Sequence, residues 1–514
     1  MPPQGTTRIP LSLLAPVAVA GLVILALLVL FPTGFPNYDS VYSLLWGREL
    51  AEGMSPDYGP PLVPTPHPLY QLFGAVVSPL GDGASTAAMV LAYLSLGVLA
   101  WLVYRLGSLW FDRPTGILAA VIIMTSAPIL SNGLRAYIDL PYIVLCLAAL
   151  VVETRRPKAG WPVLVLLALA GLLRPEAWLF AAFYFLYLVL DFEPAAGGGR
   201  LPRVRLAGGR IDRETIGLAL LAAAGPVIWV AFDLITTGDL LYSLTGTREN
   251  VETLERETGP VDVVLYGPRR LGEVLQWPGM VGGLLGVVFG FMKLRKRSGL
   301  GIAAAILALA AFALMGSAGL AVIPRYTMLA ASILAIFAAL SVTGWRLLEP
   351  SDPWRRPWQM GAVAVIALFL IWLPNQIDLL KTVDRDLGNQ GIVERDLEAL
   401  VDEGAFEPLG EADCLPISVP NHRAVPRLAL WLDIRPSDVV SVAADSREPK
   451  LGYFLTPARP FTIENFILDP GDPGRVSSTP PPGFTRIASN RSWELYRRCG
   501  KVAAPVSVGP GPSP

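Results

Sequence analysis

The sequence predicts an all-α polytopic membrane bundle of about eleven transmembrane helices, followed by a small C-terminal α/β domain. Three observations predict it. The chain has 514 residues, of which 53% are hydrophobic and only 16% charged, against about 25% charged in a soluble globular protein. Apolar stretches near the 20 residues needed to cross a bilayer recur along the first three quarters. The charge is also uneven: 34 of the 83 charged residues fall in the last 140, from Asn375 to Pro514. This gives a membrane domain over 1–374, an α/β domain over 375–500 and a disordered tail over 501–514, rich in Pro and Gly. The formal net charge of −1 leaves no basic excess for nucleic acid, so none is expected as a partner.

In chain order, the apolar stretches lie near 11–31, 85–104, 116–131, 138–152, 161–173, 176–191, 214–235, 273–292, 300–322, 326–345 and 358–374. The first has no small-residue cleavage site behind it and reads as a helix rather than a signal peptide. The fifth and sixth are short and divided by Arg174-Pro175-Glu176. They read as two helices or as one broken helix, and the second choice inverts everything downstream. Loop charge bears on that choice, because cytoplasmic loops carry excess Lys and Arg. With eleven crossings and a cytoplasmic N-terminus, the inner loops hold 18 Lys+Arg in about 71 residues and the outer loops 8 in about 104. The same register places the C-terminal domain outside a plasma membrane.

Two outer loops are long, 32–84 and 236–272, and long loops on a scaffold of helices are commonly functional. In the first, Val41, Leu44, Leu45 and Leu50 give a short amphipathic helix on the bilayer surface, and a second begins at Pro68. Asp39 stands at the mouth of the first, where it reads equally as a helix N-cap. The second loop runs from Gly238-Asp239 into Glu249, Glu252, Glu255 and Glu257. It reads as a partly helical lid or as a solvated connector.

In the tail domain, Ile377 to Val401 reads as one or two amphipathic helices, Pro416 to Val419 and Val439 to Ala443 as strands, and His422 to Leu432 as a helix. Phe484 to Ile487 and Trp493 to Tyr496 flank Ser489-Asn490-Arg491 as a hairpin. Of the three cysteines, Cys146 lies in a membrane helix. Cys414 and Cys499 bracket the tail domain, and an outside compartment permits a bridge between them. The alternative is two free thiols.

Several charged residues lie at predicted outer helix ends: Arg135, Asp139, Arg174, Glu176 and Arg325. A charge at membrane depth costs roughly 2.5–3.5 kcal/mol on insertion scales. Each alone reads as a side chain snorkelling to the interface. Convergence of all five with Asp39 on one cavity is the functional alternative.

The segment Tyr38-Asp39-Ser40-Val41-Tyr42, followed by Arg48-Glu49-Leu50-Ala51-Glu52-Gly53, resembles the first outer loop of GT-C glycosyltransferases, the enzymes that use polyprenyl-phosphate sugars. His67-Pro68-Leu69-Tyr70 resembles that family's basic-Pro-Pro-Leu-Tyr element, with His for the basic residue and one Pro missing. Asp139 in Arg135-Ala136-Tyr137-Ile138-Asp139, the turn Arg174-Pro175-Glu176, and Pro324-Arg325-Tyr326 resemble later family elements in the same order. Each motif is short; in sequence they span most of residues 1–345.

The resemblance implies a GT-C-like fold and an inverting transferase that moves a sugar from a polyprenyl-phosphate donor to a hydroxyl of a glycan, lipid or protein. Asp39 matches the family's catalytic carboxylate, although Ser40 replaces the second acid often found there. A phosphate leaving group needs no general acid, unlike the leaving group of a glycosidase. One base and cations for the phosphate suffice, which assigns Asp39 as base, with Arg325 and Arg174 on the phosphate. Tyr38, His67, Tyr70, Arg135, Asp139, Glu176 and Tyr326 are the substrate-binding candidates. Some family members use a divalent metal and others none. No His/Cys cluster of zinc spacing occurs, and the only candidate ligands are Asp39, His67 and nearby carboxylates. A transporter or flippase of lipid-linked sugars would use the same charges, but the sequence shows no internal repeat pairing two halves.

Overall fold

The computed structural model describes residues 11–193, 203–206, 212–407, 409, 414–444, 449–467 and 479–499. The tail over 501–514 lies outside the described residues. The chain forms two units, one of Met1–Pro56 with Pro64–Gly388, the other of Asp57–Val63 with Asn389–Pro514.

The first unit is helical. Helices occupy all eleven apolar stretches: α1 (Leu11–Leu30), α4 (Gly83–Trp110), α5 (Arg113–Met124) with α6 (Ala127–Gly133), α7 (Asp139–Arg155), α8 (Trp161–Gly171), α9 (Glu176–Val189), α10 (Arg213–Thr237), α12 (Pro260–Lys293), α13 (Arg295–Ser317), α14 (Met328–Thr343) and α15 (Arg355–Asp402). Between them lie α2 (Tyr38–Ala51) and α3 (Pro68–Val77) in the first long loop, and α11 (Tyr242–Thr253) in the second. Among the described residues, six helices are long and apolar enough to cross a membrane, or seven with α5 and α6, bent by 67°, taken as one span. Described helices thus fall on all eleven predicted stretches, and six or seven of them have full spanning length. At 11 and 14 residues, α8 and α9 rise about 16 and 21 Å, short of a 30 Å hydrocarbon core.

The structure settles the choice between two helices and one broken helix in the 161–191 region. The Tyr184 hydroxyl, well inside α9, donates to Glu153 Oε2 at 2.6 Å and accepts from the Gly160 amide, just before α8, at 3.1 Å. In one continuous rod, 24 residues at 1.5 Å each would hold Gly160 and Tyr184 about 36 Å apart. They touch, so α8 and α9 run antiparallel and the turn at Arg174 is a hairpin tip.

Close packing relies on glycine where two backbones meet. A Cβ on Gly286 of α12 would lie 1.8 Å from the Phe337 carbonyl of α14. In the first loop, a Cβ on Gly47 would meet Gln71 O at 2.5 Å, and one on Gly74 would meet Ser43 O at 2.5 Å. Helices α2 and α3 therefore cross backbone to backbone. The most buried span among the described residues contains α14: 83% of its membrane window is inside the protein, against 6% for α15, so α14 is enclosed by other helices and α15 is largely uncovered. Helix α15 runs through Asn375 without a break, so the rise in charge density there falls inside a helix, and the two units divide at Gly388. Between α9 and α10 a short hairpin, β1 (Leu190–Glu193) with β2 (Arg203–Leu206), was not anticipated.

The second unit holds a five-stranded sheet in the order β4-β3-β5-β7-β6. Strands β3 (Ile417–Val419), β4 (Val439–Ser441), β6 (Thr485–Ser489) and β7 (Trp493–Arg498) fall where the sequence places them. Helix α16 (Val425–Trp431) links β3 to the parallel β4. Asn490 Oδ1 accepts from the amides of Ser492 and Trp493, closing the predicted hairpin. Central strand β5 (Gly452–Pro457), buried at all six positions, was not expected. Cys414 and Cys499 are joined in a disulfide, with Cα atoms 4.7 Å apart. Segment Asp57–Val63 belongs to this unit, and Asp57 Oδ2 accepts the Ser437 amide at 2.8 Å.

Candidate active site

The start of α2 is fixed by its neighbours. The amides of Phe35 and Asn37 bond the carbonyls of Leu134 and Arg135 at 3.1 and 2.7 Å, and Ser40 Oγ donates to Ala136 O at 2.5 Å. Asn37 is the N-cap, its Oδ1 accepting the Ser40 amide at 2.8 Å. The reading of Asp39 as a cap is therefore corrected: an Asx side chain two residues earlier takes that place, and the Asp39 carboxylate turns elsewhere.

It meets Arg325. Nη1 of Arg325 lies 2.8 Å from Asp39 Oδ2, both side chains keeping about a fifth of their surface exposed (24% and 19%). Arg325 sits in a 3-10 turn, Pro324–Thr327, ahead of α14. That turn is supported from the second long loop, since the Val322 amide donates to Glu257 O at 2.8 Å and Arg270 Nε donates to Val322 O at 2.9 Å. Burial pushes the Asp39 carboxyl up, but the Arg325 charge and hydrogen bond, with help from Arg256, bring it below its ordinary value. It is ionised at neutral pH.

Arg174, at the hairpin tip, is 5% exposed and holds two carboxylates that are as deeply buried. Its Nη1 pairs with Asp139 Oδ1, while Nε and Nη2 grip Glu176 Oε1 at 3.0 and 2.9 Å. The ring of Tyr326 lies between the two arginines, 4.3 Å from Arg174 Cζ and 5.5 Å from Arg325 Cζ, an arrangement that attraction of cations to a π-face favours.

His67 precedes α3 and meets the Trp229 ring edge-on at 5.8 Å. Burial, then the nearby Arg174, push its ring down to about 3 against a smaller opposing pull from Asp39. The imidazole is neutral at physiological pH. Beneath α2, burial pushes Tyr70 up to about 12 beside the Ser40 hydroxyl, so it stays protonated. Trp229 Nε1 donates to Ser243 Oγ at 3.0 Å, and Ser243 gives its amide and hydroxyl to Asp233 at 3.0 and 2.8 Å. Asp233 thus fastens the first turn of α11. Thr65 and Thr247 hydroxyls lie 2.5 Å apart, joining the two long loops.

The structure thus brings Asp39, His67, Asp139, Arg174, Glu176, Arg325 and Tyr326 together. Arg135 sits in the adjoining turn: its guanidinium turns to Ser131 and the Phe35 ring, and its carbonyl braces Asn37. Tyr38 packs edge-on against Tyr42 at 4.9 Å. Sequence reasoning missed Asn37, Trp229, Arg256 and Tyr137, whose ring lies 5.7 Å from Arg325 Cζ. The signal for Asn37 was present, an Asx before a helix; Arg256 was hidden in a run of glutamates. Among the described residues no three His, Cys, Asp or Glu side chains gather as a metal site.

No family model matches the sequence, and no curated protein matches it. Solved structures do. The chain is similar to ArnT from Cupriavidus metallidurans bound to undecaprenyl phosphate, with a TM-score of 0.50, 13% identity and coverage of 95% of this chain and 98% of that one. It also matches the arabinofuranosyltransferase AftD from Mycobacteria (TM-score 0.48, 15% identity, 96% and 40% covered). A third match is the Archaeoglobus fulgidus oligosaccharyltransferase (0.48, 10%, 89% and 71%). At this identity the first likeness is one of fold: the chain is a multi-pass helical membrane protein with the GT-C architecture.

Proposed function

We propose that this GT-C-fold chain is an inverting glycosyltransferase that moves a sugar from a polyprenyl-phosphate donor to an acceptor hydroxyl on the outer face of the plasma membrane. In this reading the N-terminus is cytoplasmic, the C-terminal domain is extracytoplasmic, and the acceptor is a glycan, lipid or protein. The observation that carries the reading is the Asp39–Arg325 pair at 2.8 Å, an ionised carboxylate touching a guanidinium, in a fold shared with a protein solved with undecaprenyl phosphate.

The chemistry follows from the charges. The acceptor oxygen attacks the anomeric carbon as the bond from that carbon to the phosphate oxygen breaks. The hydroxyl proton passes to Asp39, and the lipid phosphate departs with the bonding pair. One displacement inverts the anomeric centre. Arg325 does two things. It keeps Asp39 ionised in the resting protein, and it presents the lipid phosphate with a cation able to make two hydrogen bonds at once. As the phosphate takes up the guanidinium, its pull on Asp39 weakens and the carboxylate becomes a stronger base when one is needed. Arg174 is committed to Asp139 and Glu176, so its part on the phosphate is through its field and its stacking on Tyr326.

The test is Asp39→Asn in purified protein with normal membrane abundance. Removing a general base costs about 10²–10⁴-fold in rate. Transfer from a polyprenyl-phosphate sugar at near parental rate would overturn the assignment. Movement of the intact lipid-linked sugar across proteoliposomes, with no loss of sugar from the lipid, would favour a flippase instead.

A further inference from the structure

The charged cluster contains polar atoms that its own residues leave unused. Four are buried without a hydrogen-bond partner among the described residues: Asn37 Nδ2, His67 Nδ1, Glu176 Oε2 and Arg325 Nε. Asn37 and Glu176 are 6% and 5% exposed. A buried polar atom left unpaired costs roughly 1–3 kcal/mol, and four in one cluster call for a ligand that satisfies them.

Their chemistry is mixed. Asn37 Nδ2 and Arg325 Nε donate. Glu176 Oε2 and the His67 Nδ1 lone pair accept, the imidazole being neutral beside two arginines. Hydroxyls both donate and accept, so a polyol suits this set, while a phosphate can only accept. The fixed charges point the same way. In the resting protein Asp139 and Glu176 share Arg174, and Asp39 holds Arg325, so these three carboxylates and two guanidiniums already compensate one another and none is set aside for an ammonium or a second carboxylate.

Building on the transferase reading above, we infer that Asn37, His67 and Glu176 form a hydroxyl-reading wall that selects a neutral sugar on the donor lipid, against amino sugars and uronic acids. Asn37 is a positioning residue twice over: Oδ1 caps α2 and sets the direction of Asp39, while Nδ2 on the same amide meets the sugar that Asp39 serves.

The experiment measures binding to the full-length protein in detergent, with three synthetic probes of one chain length: bare polyprenyl phosphate, the same lipid carrying glucose, and the same lipid carrying a 4-amino-4-deoxy sugar. The variants are Asn37→Ser, which keeps a capping oxygen but loses the amide donor, and His67→Phe, which keeps the ring edge but loses the acceptor. One lost hydrogen bond corresponds to about three- to tenfold in affinity. The expected result is that loss for the glucosyl lipid in each variant, with bare lipid unchanged within twofold. On the unaltered protein the amino-sugar probe binds more weakly than the glucosyl one, and removing single hydroxyls from the glucosyl probe weakens at least one analogue to the same degree. Equal loss for bare lipid overturns the inference, since the atoms then serve the phosphate or the fold. So does equal binding of the amino and neutral sugars, with the transferase reading intact. Failure of the parent protein to bind any of the three lipids overturns the transferase reading, and this inference with it.

Discussion

Arg174→Met is the sharpest perturbation of the cluster. The guanidinium and the two carboxylates it serves have side chains only 3–7% exposed. Breaking a buried ion pair by removing one partner costs about 3–5 kcal/mol, because the remaining charge stays buried without compensation. Here two carboxylates lose their only shared cation at once, so the loss reaches the upper part of that range or beyond it, a large share of the 5–15 kcal/mol that typically holds a domain together. Cys146 supplies the assay, as the free thiol among the described residues, 3% exposed inside α7. A thiol-reactive dye that fluoresces on coupling reports its release on heating in detergent. Arg174→Met is expected to melt far below the parent. The triple variant Arg174→Met/Asp139→Asn/Glu176→Gln, which removes all three charges, is expected to recover to within about 1–2 kcal/mol, since neutral replacement of a whole buried pair is often tolerated. If the single variant melts with the parent, or the triple is no better than the single, the three groups do not compensate one another and the reasoning fails.

Arg325→Gln tests the pairing with Asp39. Burial raises that carboxyl and Arg325 lowers it, so losing Arg325 moves the Asp39 pKa up. The acid limb of a transfer-rate profile, below the ordinary carboxylate range in the parent, moves to higher pH. The stability Asp39 contributes above its unfolded pKa, lost as pH falls through its lower folded value, disappears in the variant; an unmoved limb refutes the pairing. Gly47→Ala sets a methyl 2.5 Å from backbone atoms of α3, and overpacking of this kind costs about 1–3 kcal/mol. Melting should fall and transfer with it, because α2 and α3 carry Asp39 and His67; an unchanged melting curve would mean that the helices part freely. Reduction followed by alkylation should add two labels to the second unit beyond those added without reductant. With its cysteines 85 positions apart in sequence, the disulfide contributes about 4–5 kcal/mol on the chain-entropy estimate, and melting under reductant should drop accordingly.

The parts legible in sequence are those with a one-dimensional signature. Apolar length marked the helices, and the spacing of Asn490 between aromatic runs marked the hairpin of β6 and β7. What escaped needed the third dimension. Strand β5 is buried on both faces, so Gly452-Tyr453-Phe454-Leu455-Thr456-Pro457 shows no alternation to read. Arg135 lay in the right turn, but it is its carbonyl that braces Asn37, and no pattern of residue types announces a backbone contact of that kind. The charged helix ends could be collected from the sequence; that Arg174 is spoken for by Asp139 and Glu176, while Arg325 keeps a free Nε, could not. The antiparallel course of α8 and α9 is held at one end by the Tyr184 hydroxyl, bonded at 2.6 and 3.1 Å, and near the tip by Trp178 Nε1 donating to Gly171 O at 2.9 Å.

The second unit is discontinuous in sequence, because Asp57–Val63 belongs to it. This has a practical bearing on how the protein can be taken apart. A fragment beginning at Asn389 would carry the sheet and the disulfide but lack the carboxylate that accepts the Ser437 amide. It would start life with that donor and its turn unsupported. Any excised or transplanted version has to bring those seven residues along, as a linked peptide or a circular permutant. By the same logic, recombination during descent cannot trade this domain as a cassette cut at a single point, since part of it is threaded through the loop that bears Asp39 at one end and His67 at the other.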